Sequence, residues 1–212
     1  MIFKDREEAA TLLLKKLEKY KGTNPLVLGI PRGAIPMAKI IASGLEGELS
    51  AILVHKIPAP FNEEFAIGSI GLSGEIKCLI DIDSEGIPES YLTDAAKKQL
   101  NLLKQRQQFY GLKKPNYKDR VVIIVDDGIA TGATTLAAIH EVRLHQVKKL
   151  IVATPVASKE SAKRIKSLVD DFVVLSVPEP FYAVGQFFSD FSQVSDEEVI
   201  EILKNILRAN DF

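Results

Sequence analysis

Five short apolar runs punctuate the chain, at residues 26–30, 51–54, 121–125, 150–153 and 172–177. They are rich in Val, Ile and Leu, and the segments between several of them carry apolar residues three and four apart. Continuous apolar runs of this length read as strands buried on both faces of a parallel sheet, and the spaced segments as amphipathic helices. Ala10, Leu13, Leu14 and Leu17 form one such helical face, opened by Asp5 and Glu8 as a capping-box variant and stopped by Gly22. Nothing in that first helix suggests chemistry. Residues 136–144 and 159–168 predict two more helices. Pro88 starts another with Tyr91, Leu92, Ala95, Ala96, Leu100 and Leu103 inward, and Gly111 ends it. Its outer Lys97, Lys98, Lys104 and Arg106 read as a solvated face. Ser195-Asp196-Glu197-Glu198 caps a terminal helix whose apolar positions are Val199, Ile202, Leu203 and Ile206. Strands alternating with helices predict an α/β fold: a doubly wound, mostly parallel sheet of about five strands flanked by helices.

Two stretches break the alternation. Residues 66–72 and 75–80 flank Ser73-Gly74 and read as a β-hairpin. Residues 57–64, with two prolines and two acids, look too irregular for an element and read as a lid loop.

Composition narrows the function classes. Among 212 residues, 27 Lys and Arg balance 28 Asp and Glu, so no bulk charge draws the chain toward nucleic acid or an anionic membrane. No apolar run is long enough to span a membrane, and an N-terminus charged by Lys4 and Asp5 does not read as a secretory signal. The single Cys78 has no partner for an internal disulfide, and its apolar surroundings suggest a buried, inert thiol in a cytoplasmic protein. His140 and His145 lie about 140° apart around a helix and do not converge on a metal.

The candidate chemistry lies where the strand at 121–125 ends. Asp126 and Asp127 follow it, then a turn of small residues from Gly128 through Thr135, then a helix. Ligands of open α/β sheets bind beyond the strand ends, and small residues at a helix N-terminus let backbone N–H groups close around an anion. Two acids beside an anion cradle suit a ligand bearing hydroxyls as well as phosphate. The plainer reading is a turn whose acids cap the next helix, but a cap needs one acid. A second strand–turn–helix contributes Arg32 and Gly33 in Pro31-Arg32-Gly33.

This stretch resembles the phosphoribosyl-pyrophosphate (PRPP) signature of the type I phosphoribosyltransferases: a hydrophobic strand, two acids, then Thr-Gly-x-Thr. The resemblance implies that Asp126 and Asp127 hold the ribose hydroxyls while Ala130, Thr131, Gly132, Ala133 and Thr134 wrap the 5-phosphate. It implies that Arg32 and Gly33 take the pyrophosphate, and that a mobile loop carries Lys56 near its start. For Lys56 a solvated surface role is the alternative. Mg²⁺, bound mainly through PRPP, is the implied cofactor, and a homodimer the expected assembly. The stretch from Pro178 to Phe191 packs five aromatics and is similar to the hood of 6-oxopurine phosphoribosyltransferases. Matched on Val184-Gly185, Tyr182 falls on the base-stacking position and Asp190 on an acid that helps hold a second Mg²⁺. Phe187, Phe188 and Phe191 read instead as residues folding the hood onto the core.

Two departures qualify that likeness. The 6-oxopurine enzymes carry an acid where this chain has Ala130, and a purine-recognising lysine where it has about Val152. Glu63 or Glu64 from the lid could supply the acid, with Glu64 as the candidate. The expected layout is one phosphoribosyltransferase domain over 1–212: core at about 23–177, lid and hairpin at 56–82, hood at 178–194 and terminal helix at 195–208. The expected function is transfer of ribose 5-phosphate from PRPP to a nucleobase, purine favoured. The alternative is a catalytically weak or inactive regulatory protein that binds PRPP or a nucleotide.

Overall fold

The computed structural model describes residues 1–82 and 85–209, with the side chains of 63, 64 and 205–209 left aside. It contains strands β1 (Leu26–Gly29), β2 (Glu48–Ala51), β3 (Val54–Ala59), β4 (Asn62–Gly71), β5 (Ile76–Cys78), β6 (Val121–Val125), β7 (Lys149–Val156) and β8 (Asp171–Ser176). The helices are α1 (Arg6–Leu17), α2 (Ala34–Leu45), α3 (Glu89–Phe109), α4 (Ala133–Arg143), α5 (Lys159–Lys166) and α6 (Asp196–Ala209).

Five strands form a parallel sheet in the order β2-β1-β6-β7-β8. Both faces are covered, which explains the unbroken apolar runs. Val27, Ile123 and Ile151 pack with Leu13 and Leu17 of α1 and Ile35 and Ile41 of α2. The alternate positions Leu28, Ile124 and Val152 pack with Ala138 and Val142 of α4 and Ile165 of α5. Each fully buried Leu or Ile contributes about 2 kcal/mol, so the two-sided sheet supplies a rigid frame. The fold expectation is borne out, five strands included.

The order reverses direction between β1 and β6. From β1 the chain continues outward to β2, and from β6 it continues the other way to β7 and β8. Such a switch point separates the loops beyond two adjacent carboxyl ends and opens a crevice. Gly29 pairs with Val125 there, so the turn at 31–33 and the turn at 126–132 face one another.

A second, antiparallel sheet in the order β3-β4-β5 corrects three readings. Residues 57–64 are not an irregular loop: they finish β3, turn at Pro60-Phe61 and begin β4. The prolines are accommodated because β3 is an edge strand whose register shifts around Pro58. The expected strand at 51–54 divides between sheets, β2 ending at Ala51 and β3 starting at Val54. Cys78 is exposed at the end of the short edge strand β5, not buried. The turn between β4 and β5 is held by α4, where buried Glu141 accepts from the Ser73 backbone N at 2.8 Å and its hydroxyl at 2.6 Å.

The helix ends follow local chemistry. Asp5 accepts from the Glu8 backbone N at 2.8 Å, while Glu8 accepts from the Lys4 backbone N at 2.6 Å. Ser195 and Glu198 form a reciprocal capping box at 3.1 and 2.8 Å. Helix α4 begins at Ala133, three residues before the expected start, because Gly132 at φ 75° turns the chain directly into helix.

Candidate active site

The crevice at the switch point is a cleft of about 340 Å³ lined by residues 30–33 and 126–135. It brings together Arg32, Gly33, Asp126, Asp127, Ala130, Thr131, Gly132, Ala133 and Thr134, nine of the fourteen sequence-derived site residues.

The turn after β6 is anchored from below and open above. The Ile129 backbone N donates to Val156 at 2.9 Å and the Ser158 backbone N to Ile129 at 2.9 Å. The Ala130 carbonyl accepts from the hydroxyls of Ser158 and Ser161, both at 2.7 Å. With that carbonyl turned toward α5, Ala130, Thr131 and Thr134 stay exposed at the start of α4. The first N–H groups of α4 have no intrahelical acceptor, so an anion here meets free donors and a favourable helix dipole.

Asp126 and Asp127 occupy different environments. Asp126 accepts from the Thr135 hydroxyl at 2.6 Å and the Gly128 backbone N at 3.4 Å. Burial at the strand end, then the neighbouring Asp127 charge, push its carboxyl up to about 7. Asp127 is also pushed up by burial, but the adjacent Arg6 guanidinium opposes that rise. Arg6 reaches Asp127 Oδ2 through Nη2 at 2.8 Å and Nε at 2.9 Å. The pair is largely enclosed, with side-chain exposures of 13% and 20%.

Gly33 completes this wall. A Cβ added there would stand 1.9 Å from Asp127 Oδ2, a distance no side chain can occupy. The glycine therefore permits a close approach, not an unusual backbone. Arg32 lies on the cleft, with its Nη1 3.2 Å from Asp196 Oδ2 at the start of α6. Asp196 in turn accepts a hydrogen bond from the Tyr110 hydroxyl. The Pro31–Arg32 peptide is cis.

Other expected residues stand farther out. Lys56, on β3, lines a neighbouring cavity of about 850 Å³ that shares Ala133 and Thr134 with the cleft. Glu63 and Glu64 belong to β4, and their side chains lie outside the described residues. In the hood, Val184 packs so closely on Gly128 that a Cβ on the glycine would meet Val184 Cγ1 at 2.1 Å. Tyr182 is 82% exposed beside it. Phe187 and Phe188 are buried, Phe188 stacks on Phe191 with ring centres 4.9 Å apart, and Phe3 joins them at 5.5 Å.

Asp190 is exposed and accepts from the Ser192 backbone N at 2.9 Å and from its hydroxyl, both at Oδ1. The hydroxyl bond, with the backbone one behind it, holds the carboxyl below its ordinary range. An exposed, ionised carboxylate suits magnesium, which keeps water and substrate oxygens and needs few protein ligands. Among the described residues, no group of three or more His, Cys, Asp or Glu forms a metal cage. Among them, too, no helix is long and apolar enough to cross a membrane.

Arg6 is the residue sequence reasoning passed over. Its partners lie at the far end of the chain, so no local spacing marks it. Besides Asp127, its Nη1 donates to the Ser192 carbonyl at 2.7 Å, and its Cζ lies 3.8 Å above the Phe191 ring.

Comparison with known proteins bears on this site. The sequence pattern described as the phosphoribosyl transferase domain matches residues 3–190. A Mycobacterium tuberculosis protein, itself only provisionally assigned as a phosphoribosyl transferase, is 35% identical over 206 residues. That alignment covers 95% of this chain but 46% of the mycobacterial one, so the chain spans about half the length of the curated relatives it matches. The hypoxanthine-guanine phosphoribosyltransferase of Lactococcus lactis is 25% identical over 184 residues, 85% of this chain and 74% of that one. Among solved structures, the protein TT1426 from Thermus thermophilus superposes with a TM-score of 0.86 at 40% identity, covering 97% of this chain and 99% of the other.

Proposed function

Because the chain belongs to the phosphoribosyl transferase domain family, we propose that it transfers ribose 5-phosphate from PRPP to a nucleobase, a purine by preference. The observation that carries the reading is the pairing of two carboxylates with an open amide turn at the topological switch point. That combination matches a ligand with a diol at one end and a phosphate at the other.

In this reading the amides of Ala130 to Thr134 hold the 5-phosphate, and Asp126 and Asp127 accept from the ribose hydroxyls. The bond from C1 to the pyrophosphate oxygen breaks, its electron pair leaving with pyrophosphate, and a base nitrogen donates the pair that forms the new C1–N bond. The nitrogen's proton passes to a nearby acceptor, for which Glu64 is the candidate. Positive charge develops on the ribose ring between the two events, and carboxylates fixed beside it favour that state. Arg32, and Lys56 from β3, face the leaving anion. Magnesium, when bound, supplies further neutralisation of the pyrophosphate charge, with Asp190 as a ligand through water. Exclusion of water by the β3–β4 hairpin would protect the reactive ring carbon.

The purine preference rests on the hood, with Tyr182 offered for stacking and Val184 seated on Gly128, and on the Lactococcus relative's named activity. A cytoplasmic homodimer belongs to the same proposal. Exposed Leu102 and Phe109 lie seven residues apart on one face of α3 and supply an apolar surface, which light scattering at twice the chain mass would check.

The test is incubation with PRPP and Mg²⁺ against purine and pyrimidine bases, following pyrophosphate and nucleotide together. Equal release of the two with a purine is expected. Thermal stabilisation by PRPP with no product from any base would favour the regulatory alternative, to which Ala130, in place of an acid, lends weight.

A further inference from the structure

We propose that Arg6 is a positioning residue for ribosyl transfer: it holds Asp127 in the orientation that receives the ribose and ties the hood to it. This rests on the transferase reading of the same site. The geometry is specific to one oxygen. Both Arg6 contacts fall on Asp127 Oδ2, and that same oxygen lies against the Cα of Gly33, where even a Cβ would be 1.9 Å away. Oδ2 is thus pinned between a guanidinium and a backbone, which fixes the side-chain rotation and leaves Oδ1 for a ribose hydroxyl. A carboxylate offers about four lone-pair sites, so accepting from Arg6 does not exhaust it.

The other side of the guanidinium holds the hood. Nη1 donates to the Ser192 carbonyl and the plane stacks on Phe191, itself stacked on buried Phe188. One planar cation therefore spans three parts of the chain: the first turn of α1, the acid after β6 and the end of the hood. Arg6 also lines a cavity of about 270 Å³ with Arg32, Gly33, Asp127, Phe191 and Val194. A guanidinium is suited to this task because its fork is rigid and its charge permanent, whereas a lysine would offer one point contact.

A binding cycle with PRPP and Mg²⁺, read by calorimetry, tests the coupling. The proteins are wild type, Arg6→Gln, Asp127→Asn and the double variant. Arg6→Gln should weaken PRPP binding about tenfold, within the range for residues in direct contact. In the Asp127→Asn background the same change should cost less than about twofold, since the carboxylate it positions is gone. Steady-state rates should show a higher KM for PRPP with an unchanged KM for the base. Arg6→Lys should recover part of the affinity, and if Arg6→Gln does not fold, the cycle runs on Arg6→Lys with a smaller loss expected. An equal loss with and without the Asp127 carboxylate would overturn the inference, because the arginine would then act through the hood alone. Wild type that binds no PRPP at all would instead overturn the transferase reading and remove the basis of the inference.

Discussion

One wall of the cleft, from Asp126 to Thr135, is a single stretch of chain; a second wall, around the adjoining cavity that shares Arg32, Gly33 and Asp127 with the cleft, gathers Arg6, Gly33 and Phe191 from positions far apart in sequence. The first wall is set by local rules. A buried strand delivers the acids, Gly132 turns the chain, and the first turn of α4 leaves its amides open. The second exists only once the sheet has brought α1, the turn after β1 and the end of the hood to one place. The difference teaches that the local wall specifies what kind of ligand fits, while the assembled wall decides how rigidly one acid is presented to it.

The largest expected effect breaks the two walls at their junction. Asp127→Asn should lower transfer on the order of 10²- to 10³-fold, the size of removing one preorganised electrostatic group. The protein should still fold, because Arg6 keeps the Ser192 carbonyl and the Phe191 ring. Steady-state rates beside circular dichroism check both halves. Gly33→Ala should come next. Its methyl would displace Asp127 Oδ2, and a misplacement of about 1 Å can cost about 10²-fold in rate. The loss should appear in kcat, and the thermal midpoint should fall as well, because the methyl also crowds the enclosed Arg6–Asp127 pair.

A third prediction separates the two acids by pH. The Asp126 carboxyl is raised from 3.8 to about 7, so the folded state binds its proton more tightly than the unfolded chain does. The sign follows directly: this group's contribution to stability is fully present below pH 3.8 and is lost as pH rises toward about 7. Asp126→Asn should remove that loss, flattening the stability profile between those limits in denaturant titrations. The smallest effect belongs to Tyr182→Ala. A side chain 82% exposed should change stability by no more than about 0.5 kcal/mol, so a raised KM for the base alone would identify it as a stacking residue.

Much of this was legible in the sequence because periodicity reports burial. Val121 to Val125 are buried at every position, and β1, β7 and the helices between them fall close to where the pattern places them. The antiparallel sheet was harder. Pro58 and Pro60 signal loop by propensity, yet an edge strand with shifted register tolerates them. Cys78 lies in an apolar run, but it stands exposed at the end of a three-residue edge strand. Within the site, the turn from Asp126 to Thr134 was readable because its residues are adjacent. Arg6 was not, since on α1 it is an ordinary polar position, and its meaning depends on contacts with residues 127, 191 and 192. A glycine in a turn such as Gly33 suggests backbone freedom, whereas the packed structure makes it room for a carboxylate.

A crystal structure with PRPP and Mg²⁺ measures directly where the donor sits. It should place the 5-phosphate within hydrogen-bond distance of the amides between Ala130 and Thr134, with the ribose hydroxyls on Asp126 and on Asp127 Oδ1 while Arg6 keeps Oδ2. PRPP lodged instead in the 850 Å³ cavity beneath β3, with both acids untouched, would contradict it.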